Sequence, residues 1–338
     1  MKEKLKIAVL FGGRSPEYEV SLQSACSVIK RMDREKYVPV PIGITRQGEW
    51  LRFHGGIDEI AADTWHAPER CTAFAPSLDP RAPEFDAVFP VLHGRNGEDG
   101  TVQGAFTLMG VPIVGCGVLA SALCMDKDRA HKLARAAGVE VPRSCRVARH
   151  TDMGEVQLHG LALGCPLFVK PVGAGSSFGI TKITSLRELP AALELAFRYD
   201  GEVILEEAVP GFEVGCAVMG NRELTVGEVD EIELSEGFFD YDEKYTLKTS
   251  AIHVPARIDA VTARRVKDTA QTVYRALGCR GFARVDMFLT PTGRIVFNEV
   301  NTIPGFTAHS RFPRMMEAAG IPFEQVISTA IELAVGEP

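Results

Sequence analysis

Apolar and polar residues change their spacing along this chain, and each change marks an element. Lys6 to Phe11 is a short apolar run that reads as a strand, followed by the glycine turn Gly12-Gly13-Arg14-Ser15-Pro16-Glu17. Ser21 is then a candidate N-cap for a helix in which Leu22, Ala25, Cys26, Ile29 and Met32 recur at helical spacing and form one buried stripe. Tyr37 to Ile44 and Phe85 to Leu92 are two further strands, separated by a polar, proline-dotted stretch around Ala67 to Pro83. Strands alternating with helices predict an α/β chain with a parallel sheet in its N-terminal part. From Met125 the character changes: Ala130, Leu133, Ala134 and Ala137 mark a helix stopped by Gly138, and Pro166 to Lys170 is a short strand feeding a glycine-rich loop. Glu202 to Leu205 and Val214 to Met219 read as strands, Val266, Ala270, Val273 and Leu277 mark a helix ended by Gly278, and Pro322 to Val335 is a last amphipathic helix.

Composition narrows the function classes. The 338 residues are 46% hydrophobic, 24% charged and 8% aromatic, which excludes disorder and collagen-like structure and is enough material for two or three domains. A net charge of -7 without long runs of like charge argues against a surface that tracks nucleic-acid phosphates, and so for a small-molecule partner. The apolar run Ile7 to Phe11 is too short for a signal segment or a membrane span, so a cytoplasmic protein is expected, with no membrane partner. Eight cysteines occur without a C-x-x-C pair, and the expectation is reduced, buried thiols.

Four segments can carry chemistry. In Phe282 to Asn301 two apolar strands flank the turn Thr290-Pro291-Thr292-Gly293, and alternation puts Arg284 with Asp286 on one face of the first strand and Glu299 with Asn301 on one face of the second. Charged groups inside apolar strands cost several kcal/mol unless compensated. Two carboxylates and an amide oxygen suit Mg²⁺ shared with phosphates, and a structural Arg to carboxylate network is the alternative. In Phe168 to Gly179, three glycines and the serines Ser176 and Ser177 follow a strand, so backbone N–H groups can close over phosphate oxygens with Lys170 adding a charge. This is not a Walker A loop, because Lys170 precedes the glycines. Lys127 can supply a second phosphate contact.

The third segment, Ile204 to Glu213, runs from a strand into a tight turn. If a nucleotide is present, Glu213 can accept from ribose hydroxyls, and the backbone of Glu207, Ala208 and Val209 can pair an adenine edge. The fourth comprises the loops Gly12 to Glu17 and Leu92 to Gly100, which contains His93; loops beyond the carboxyl ends of parallel strands are where open α/β sheets hold ligands. A Rossmann dinucleotide site is the rival there, and it lacks the third glycine.

Together the glycine-rich loop, the Arg284/Asp286 and Glu299/Asn301 strands, and Asn301-Thr-Ile-Pro-Gly305-Phe-Thr-Ala-His-Ser310 resemble the ATP-grasp family. More narrowly, the chain resembles the D-alanine:D-alanine ligases and their D-alanine:D-serine relatives, from Ile7 to about Gly320. The resemblance implies three domains, expected at 1–122, 123–215 and 216–338, with ATP between the central and C-terminal ones. It implies an acyl phosphate formed from D-alanine and ATP, then attack by the amine of a second D-amino acid, with positioning and charge stabilisation carrying the rate. A homodimer is implied as well.

Residue roles follow from the same resemblance. Glu17 would hold the ammonium of the first D-alanine with His93 nearby, while Lys127, Lys170 and the loop through Ser176 and Ser177 cover the phosphates. Glu206 and Glu213 would face the adenosine, and Asp286, Glu299 and Asn301 would hold two Mg²⁺ ions, with Mn²⁺ as a substitute. Arg284 and the Gly305 N–H would stabilise the oxyanion, and Ser310 would receive the second carboxylate. Glu236 to Tyr245 would be a mobile loop whose Lys244 reaches the γ-phosphate, and Tyr245, linked to Glu17 through Ser176, matches peptide-forming rather than D-lactate-using enzymes. Phe239 and Arg311 depart from the alanine ligases and resemble the D-alanine:D-serine ligases linked to vancomycin resistance. The expected function is therefore a D-alanine:D-alanine ligase for peptidoglycan synthesis, with a D-alanine:D-serine ligase as the alternative. Another ATP-grasp carboxylate:amine ligase and a binding module without turnover are the remaining readings.

Overall fold

The computed structural model describes residues 3–75, 83–173, 175, 178–234 and 250–336. In chain order its elements begin with β1 (Leu5–Gly12), α1 (Tyr18–Arg31), β2 (Tyr37–Ile44), β3 (Trp50–Phe53), α2 (Ile57–Ala61), β4 (Cys71–Ala73), β5 (Ala87–Pro90) and α3 (Thr101–Leu108). There follow α4 (Val118–Met125), α5 (Lys127–Ala136), β6 (Ser144–Ala148), α6 (Met153–Leu163), β7 (Leu167–Pro171), β8 (Thr181–Ile183), α7 (Leu189–Ala196) and β9 (Glu202–Glu207). The rest are β10 (Phe212–Gly220), β11 (Leu224–Leu234), β12 (Ser250–His253), α8 (Ala260–Ala276), β13 (Phe282–Leu289), β14 (Ile295–Asn301), α9 (Arg311–Ala318) and α10 (Phe323–Val335).

Three sheets result. The first, in the order β4-β3-β2-β1-β5, is parallel at β1/β2 and β1/β5, as the sequence predicts. It is antiparallel at β2/β3 and β3/β4, because two short strands form in the stretches that alternation alone left as loop. The second sheet is β6-β9-β7-β8 and the third β12-β11-β10-β13-β14, both antiparallel. The expected boundary at 122 lies within α4, and that at 215 lies within β10; the chain passes from the second sheet to the third between Glu207 and Phe212.

The first strand is apolar from Ile7 to Phe11, where all five residues are fully buried between parallel neighbours. The chain then leaves the sheet through Gly12 and Gly13, at φ +86° and +99°; a Cβ on Gly12 would stand 2.2 Å from the Ile44 carbonyl oxygen, so only glycine fits. The helix starts at Tyr18, earlier than the Ser21 cap predicts. Ser21 instead lies inside α1, where its hydroxyl accepts the Gly12 N–H at 2.8 Å and donates to the Val91 carbonyl. A short polar side chain there ties helix to sheet, and cap chemistry was the wrong inference from it.

The first and third sheets share one core, in which Ile7, Val9 and Phe11 join Phe282, Phe306, Phe312 and Val326. Phe306 packs 5.0 Å from Phe282 and 5.6 Å from Phe89, centroid to centroid, so aromatic contacts bind the N-terminal sheet to the segment after β14. The thiols match the expectation in part: all eight are free, but only Cys116, Cys124, Cys216 and Cys279 are buried, and Cys165 is exposed. Among the described residues no single helix is long and apolar enough to cross a membrane. Phe282→Ala should cost about 3–5 kcal/mol, the usual range for deleting a buried ring, and a lowered urea midpoint checks it.

Candidate active site

The third sheet sets the register of the site. In the β13/β14 hairpin Arg284 pairs with Asn301 and Asp286 with Glu299, so all four side chains gather on one face, as alternation predicts. Arg284 forks onto Asp286, Nε to Oδ1 at 2.8 Å and Nη2 to Oδ2 at 2.7 Å, and the Asn301 amide donates to Oδ2 at 2.8 Å. Burial works against the Arg284 charge, and the Asp286 carboxylate more than offsets it, holding its pKa above the ordinary value. Both readings of this segment therefore meet: an Arg to carboxylate network exists, built from the candidate metal ligands.

Arg311, at the start of α9, is 7% exposed and faces neither bulk solvent nor an open wall. Its Nε and Nη2 grip Asp230 at 2.7 and 2.8 Å, its Nη1 bonds Glu213 at 2.8 Å, and Nη2 lies 3.4 Å from Asp286. Gly215 makes room, since a Cβ there would fall 2.4 Å from Arg311 Nη2 and 2.6 Å from Asp230 Oδ1. Two guanidiniums thus face three carboxylates, with Glu299 beside them, an excess of negative charge that a cation would balance. Hard oxygen donors on two adjacent strands fit Mg²⁺ held jointly with phosphates. No cage of three or more His, Cys, Asp or Glu that could hold a metal ion exists among the described residues.

A cavity of about 570 Å³ collects nine of the predicted residues: Glu17, His93, Lys127, Arg284, Glu299, Asn301, Gly305, Ser310 and Arg311 all line it. Glu17 stands immediately before α1 and is buried. His93 bonds through Nδ1 to the Ile303 carbonyl at 3.0 Å, and burial lowers its pKa, so the ring is neutral with Nε2 as its remaining acceptor. Ser310 Oγ accepts the Thr307 N–H at 3.1 Å and lies at the N-terminus of α9.

Other predicted residues lie elsewhere or are otherwise engaged. Lys170 bonds Glu206 at 2.5 Å, both buried between β7 and β9 and outside that cavity's lining. Glu207 is turned to Arg143, with Nε to Oε2 at 2.6 Å, and the N–H groups of Glu207 and Ala208 bond the Arg143 and Pro166 carbonyls. The Val209 N–H makes no such bond among the described residues. Glu213, expected at a ribose, is held by Arg311. Ser176, Ser177, Phe239, Lys244 and Tyr245 lie outside the described residues, as does the whole Glu236 to Tyr245 segment.

Sequence reasoning missed Glu98 and Asp230. Glu98 Oε2 accepts the Gly94 N–H at 2.7 Å and Oε1 the Ile303 N–H at 3.2 Å, so it staples the His93 loop to the segment after β14. Its place in the glycine-rich Leu92 to Gly100 loop was the available signal. Asp230 sits in a strand that only its pairing with β10 reveals.

The family description "D-ala D-ala ligase N-terminus" matches residues 6–116, and "D-ala D-ala ligase C-terminus" matches residues 133–332. The chain is 46% identical to the vancomycin B-type resistance protein VanB of Enterococcus faecalis, with 98% of this chain and 99% of that one covered. It is 43% identical to a D-alanine–D-alanine ligase of Caldicellulosiruptor bescii, with 98% and 95% covered. Among solved structures, VanG D-Ala:D-Ser ligase from Enterococcus faecalis superposes with a TM-score of 0.93 at 55% identity, covering 98% of this chain and 100% of that one.

Burial, then the charge of Glu17, pushes the Glu98 carboxyl up to about 8. A carboxyl raised on folding contributes stability that is complete below about pH 4.3, its unfolded value, and is lost as pH rises toward 8. A melting series from pH 5 to 8 should therefore show the wild-type chain losing stability that Glu98→Gln does not lose.

Proposed function

This chain belongs to the D-ala D-ala ligase family of ATP-dependent ligases, and from that premise we propose that it joins D-alanine to a second D-amino acid through an acyl phosphate. Its fold is the ATP-grasp arrangement of that family. The observation that carries the proposal is one cavity lined at once by a buried carboxylate, Glu17, by the lysine Lys127, by Arg284 and by the oxygen donors Glu299 and Asn301. An amino acid offers an ammonium and a carboxylate, and a nucleotide offers phosphates; this lining has a partner for each.

Each residue acts by position and charge. Glu17 holds the ammonium of the first D-alanine, which leaves its carboxylate to attack the γ-phosphorus of ATP as the bond to ADP breaks. Lys127 and Lys170 draw the phosphates in, and the Val209 amide meets the adenine edge. Asp286, Glu299 and Asn301 would hold Mg²⁺, which would neutralise phosphate charge. The second amine then attacks the acyl carbon, Arg284 and the Gly305 N–H stabilise the oxyanion, and phosphate leaves. Ser310 receives the second carboxylate. The reaction belongs to cytoplasmic cell-wall precursor synthesis by a homodimer.

D-Alanine as the second substrate is the reading that follows from the family. D-Serine is favoured by a specific observation: Arg311, unexposed and fixed by Asp230, lines the cavity next to Ser310 in a chain 55% identical to a D-Ala:D-Ser ligase. A hydroxyl meeting a guanidinium gains a bond that a methyl group lacks.

Purified protein with Mg²⁺ and ATP should release phosphate only when D-alanine is added, and release without it would sink the ligase reading. With equal D-alanine and D-serine, mass analysis of the products decides between D-alanyl-D-alanine and D-alanyl-D-serine. If D-serine is used, Arg311→Met should lower its kcat/KM relative to D-alanine by at least about tenfold, the ~1.5 kcal/mol lower end for one hydrogen bond to a charged group. Asp286→Asn should reduce kcat by at least about a hundredfold, as expected for loss of transition-state charge stabilisation, with its effect read in single-turnover phosphate release.

A further inference from the structure

His131 lies one helical turn beyond Lys127 on α5 and is 2% exposed. Its Nε2 meets the Asn298 carbonyl at 2.8 Å, and its ring packs edge-on against Phe297 at 5.6 Å. A carbonyl only accepts, so Nε2 carries the proton and the neutral ring presents Nδ1 as an acceptor. That atom faces Glu206 Oε2 at 3.9 Å, and neither has a hydrogen-bond partner among the described residues. Two buried acceptors aimed at each other without a donor between them are an unsatisfied arrangement, and such groups call for an explanation.

The other Glu206 oxygen explains how it is tolerated, because Lys170 holds Oε1 at 2.5 Å. Lys170 is also a lysine that the ligase reading turns toward phosphate. When it turns, the Glu206 carboxylate, 1% exposed, loses its cation, and an unpaired buried charge costs several kcal/mol. The His131 nitrogen is already aimed at it and needs a shift of about 1 Å to reach charge-assisted bonding distance.

We infer that His131 is a positioning residue for the nucleotide: as ATP draws Lys170 away, Nδ1 takes a proton from solvent and donates it in a hydrogen bond to Glu206, which keeps that carboxylate facing the adenosine. The surrounding charges agree. Burial lowers the His131 pKa first, Glu206 raises it, and Lys170 and Lys127 lower it further. Phosphates that neutralise both lysines remove the two cations opposing the proton. From β14 the Asn298 carbonyl and the Phe297 ring meet it, with Glu299 the charged side chain of that strand; α4 carries no Asp, Glu, Lys, Arg or His, and Tyr274 is the titratable group on the buried face of α8.

The inference rests on the ATP reading of the site, and calorimetry separates the two. ATP with Mg²⁺ is titrated into the full chain at pH 7.5, without amino acids, in buffers of different ionisation enthalpy. The expected result is a buffer-dependent enthalpy corresponding to uptake of a substantial fraction of one proton, abolished in His131→Asn. The wild-type Kd should also tighten as pH falls from 8 to 7, by up to about tenfold for a full proton. Absence of ATP binding in every buffer would overturn the ATP reading and the inference with it. Binding with a buffer-independent enthalpy and a pH-independent Kd in the wild-type chain would overturn the inference alone. The same proton uptake in folded His131→Asn would also overturn it; the wild-type measurements decide if that variant does not fold.

Discussion

Asp286 is 1% exposed and touches two guanidiniums and an amide, and much of the site depends on that balance of charge. β13 runs between β10 and β14, where an isolated carboxylate would cost several kcal/mol. Arg284 compensates it along the same strand, and Arg311 approaches from α9. The arginines are in turn tied outward, Arg311 to Asp230 on β11 and to Glu213 on β10. Ions buried this way do not make the sheet more stable than apolar residues would. They keep oppositely charged groups fixed at the floor of a cavity, where binding phosphate or carboxylate requires little reorganisation.

The rest of the fold delivers a second wall to that floor. α1 presents Glu17 before its first turn, and the Ser24 hydroxyl, further along the helix, accepts the Phe306 N–H at 3.2 Å. His93 and Glu98 hold the two backbone groups of Ile303, carbonyl and N–H respectively. The segment from Asn301 to Ser310 is therefore anchored by side chains of the N-terminal sheet's helix and loops, although it follows a strand of the third sheet. Its placement relative to Glu17 is set by these bonds and by the ring contacts among Phe89, Phe282 and Phe306.

Much of this was legible in the sequence because alternation and helical spacing are local. Arg284, Asp286, Glu299 and Asn301 share a face for reasons contained in one hairpin, Glu17 and His93 stand beside glycine turns that mark a ligand-facing loop, and Lys127 stands at a helix start. What was not legible depends on pairings between distant segments. Asp230 becomes a partner of Arg311 only when β11 pairs with β10, and the antiparallel edge of β3 and β4 has too few residues to show a period. Ser21 looked like a cap because serine favours helix starts, whereas its hydroxyl is used to join α1 to β1.

Arg311 shows why identity of residue and identity of role must be argued separately. Its burial rules out bulk solvent as what it meets. Of its donors, those on the Asp230 fork are committed to a carboxylate that is itself fully buried and has no solvent to turn to. The donors shared with Glu213 and Asp286 are different, since the proposed ligase chemistry would give both carboxylates a competing use, one toward ribose and one toward metal. If nucleotide and metal recruit those two carboxylates, the guanidinium stays held by Asp230 while its other N–H edge is released beside Ser310. The second-substrate pocket would then acquire its donor only after the nucleotide is in place.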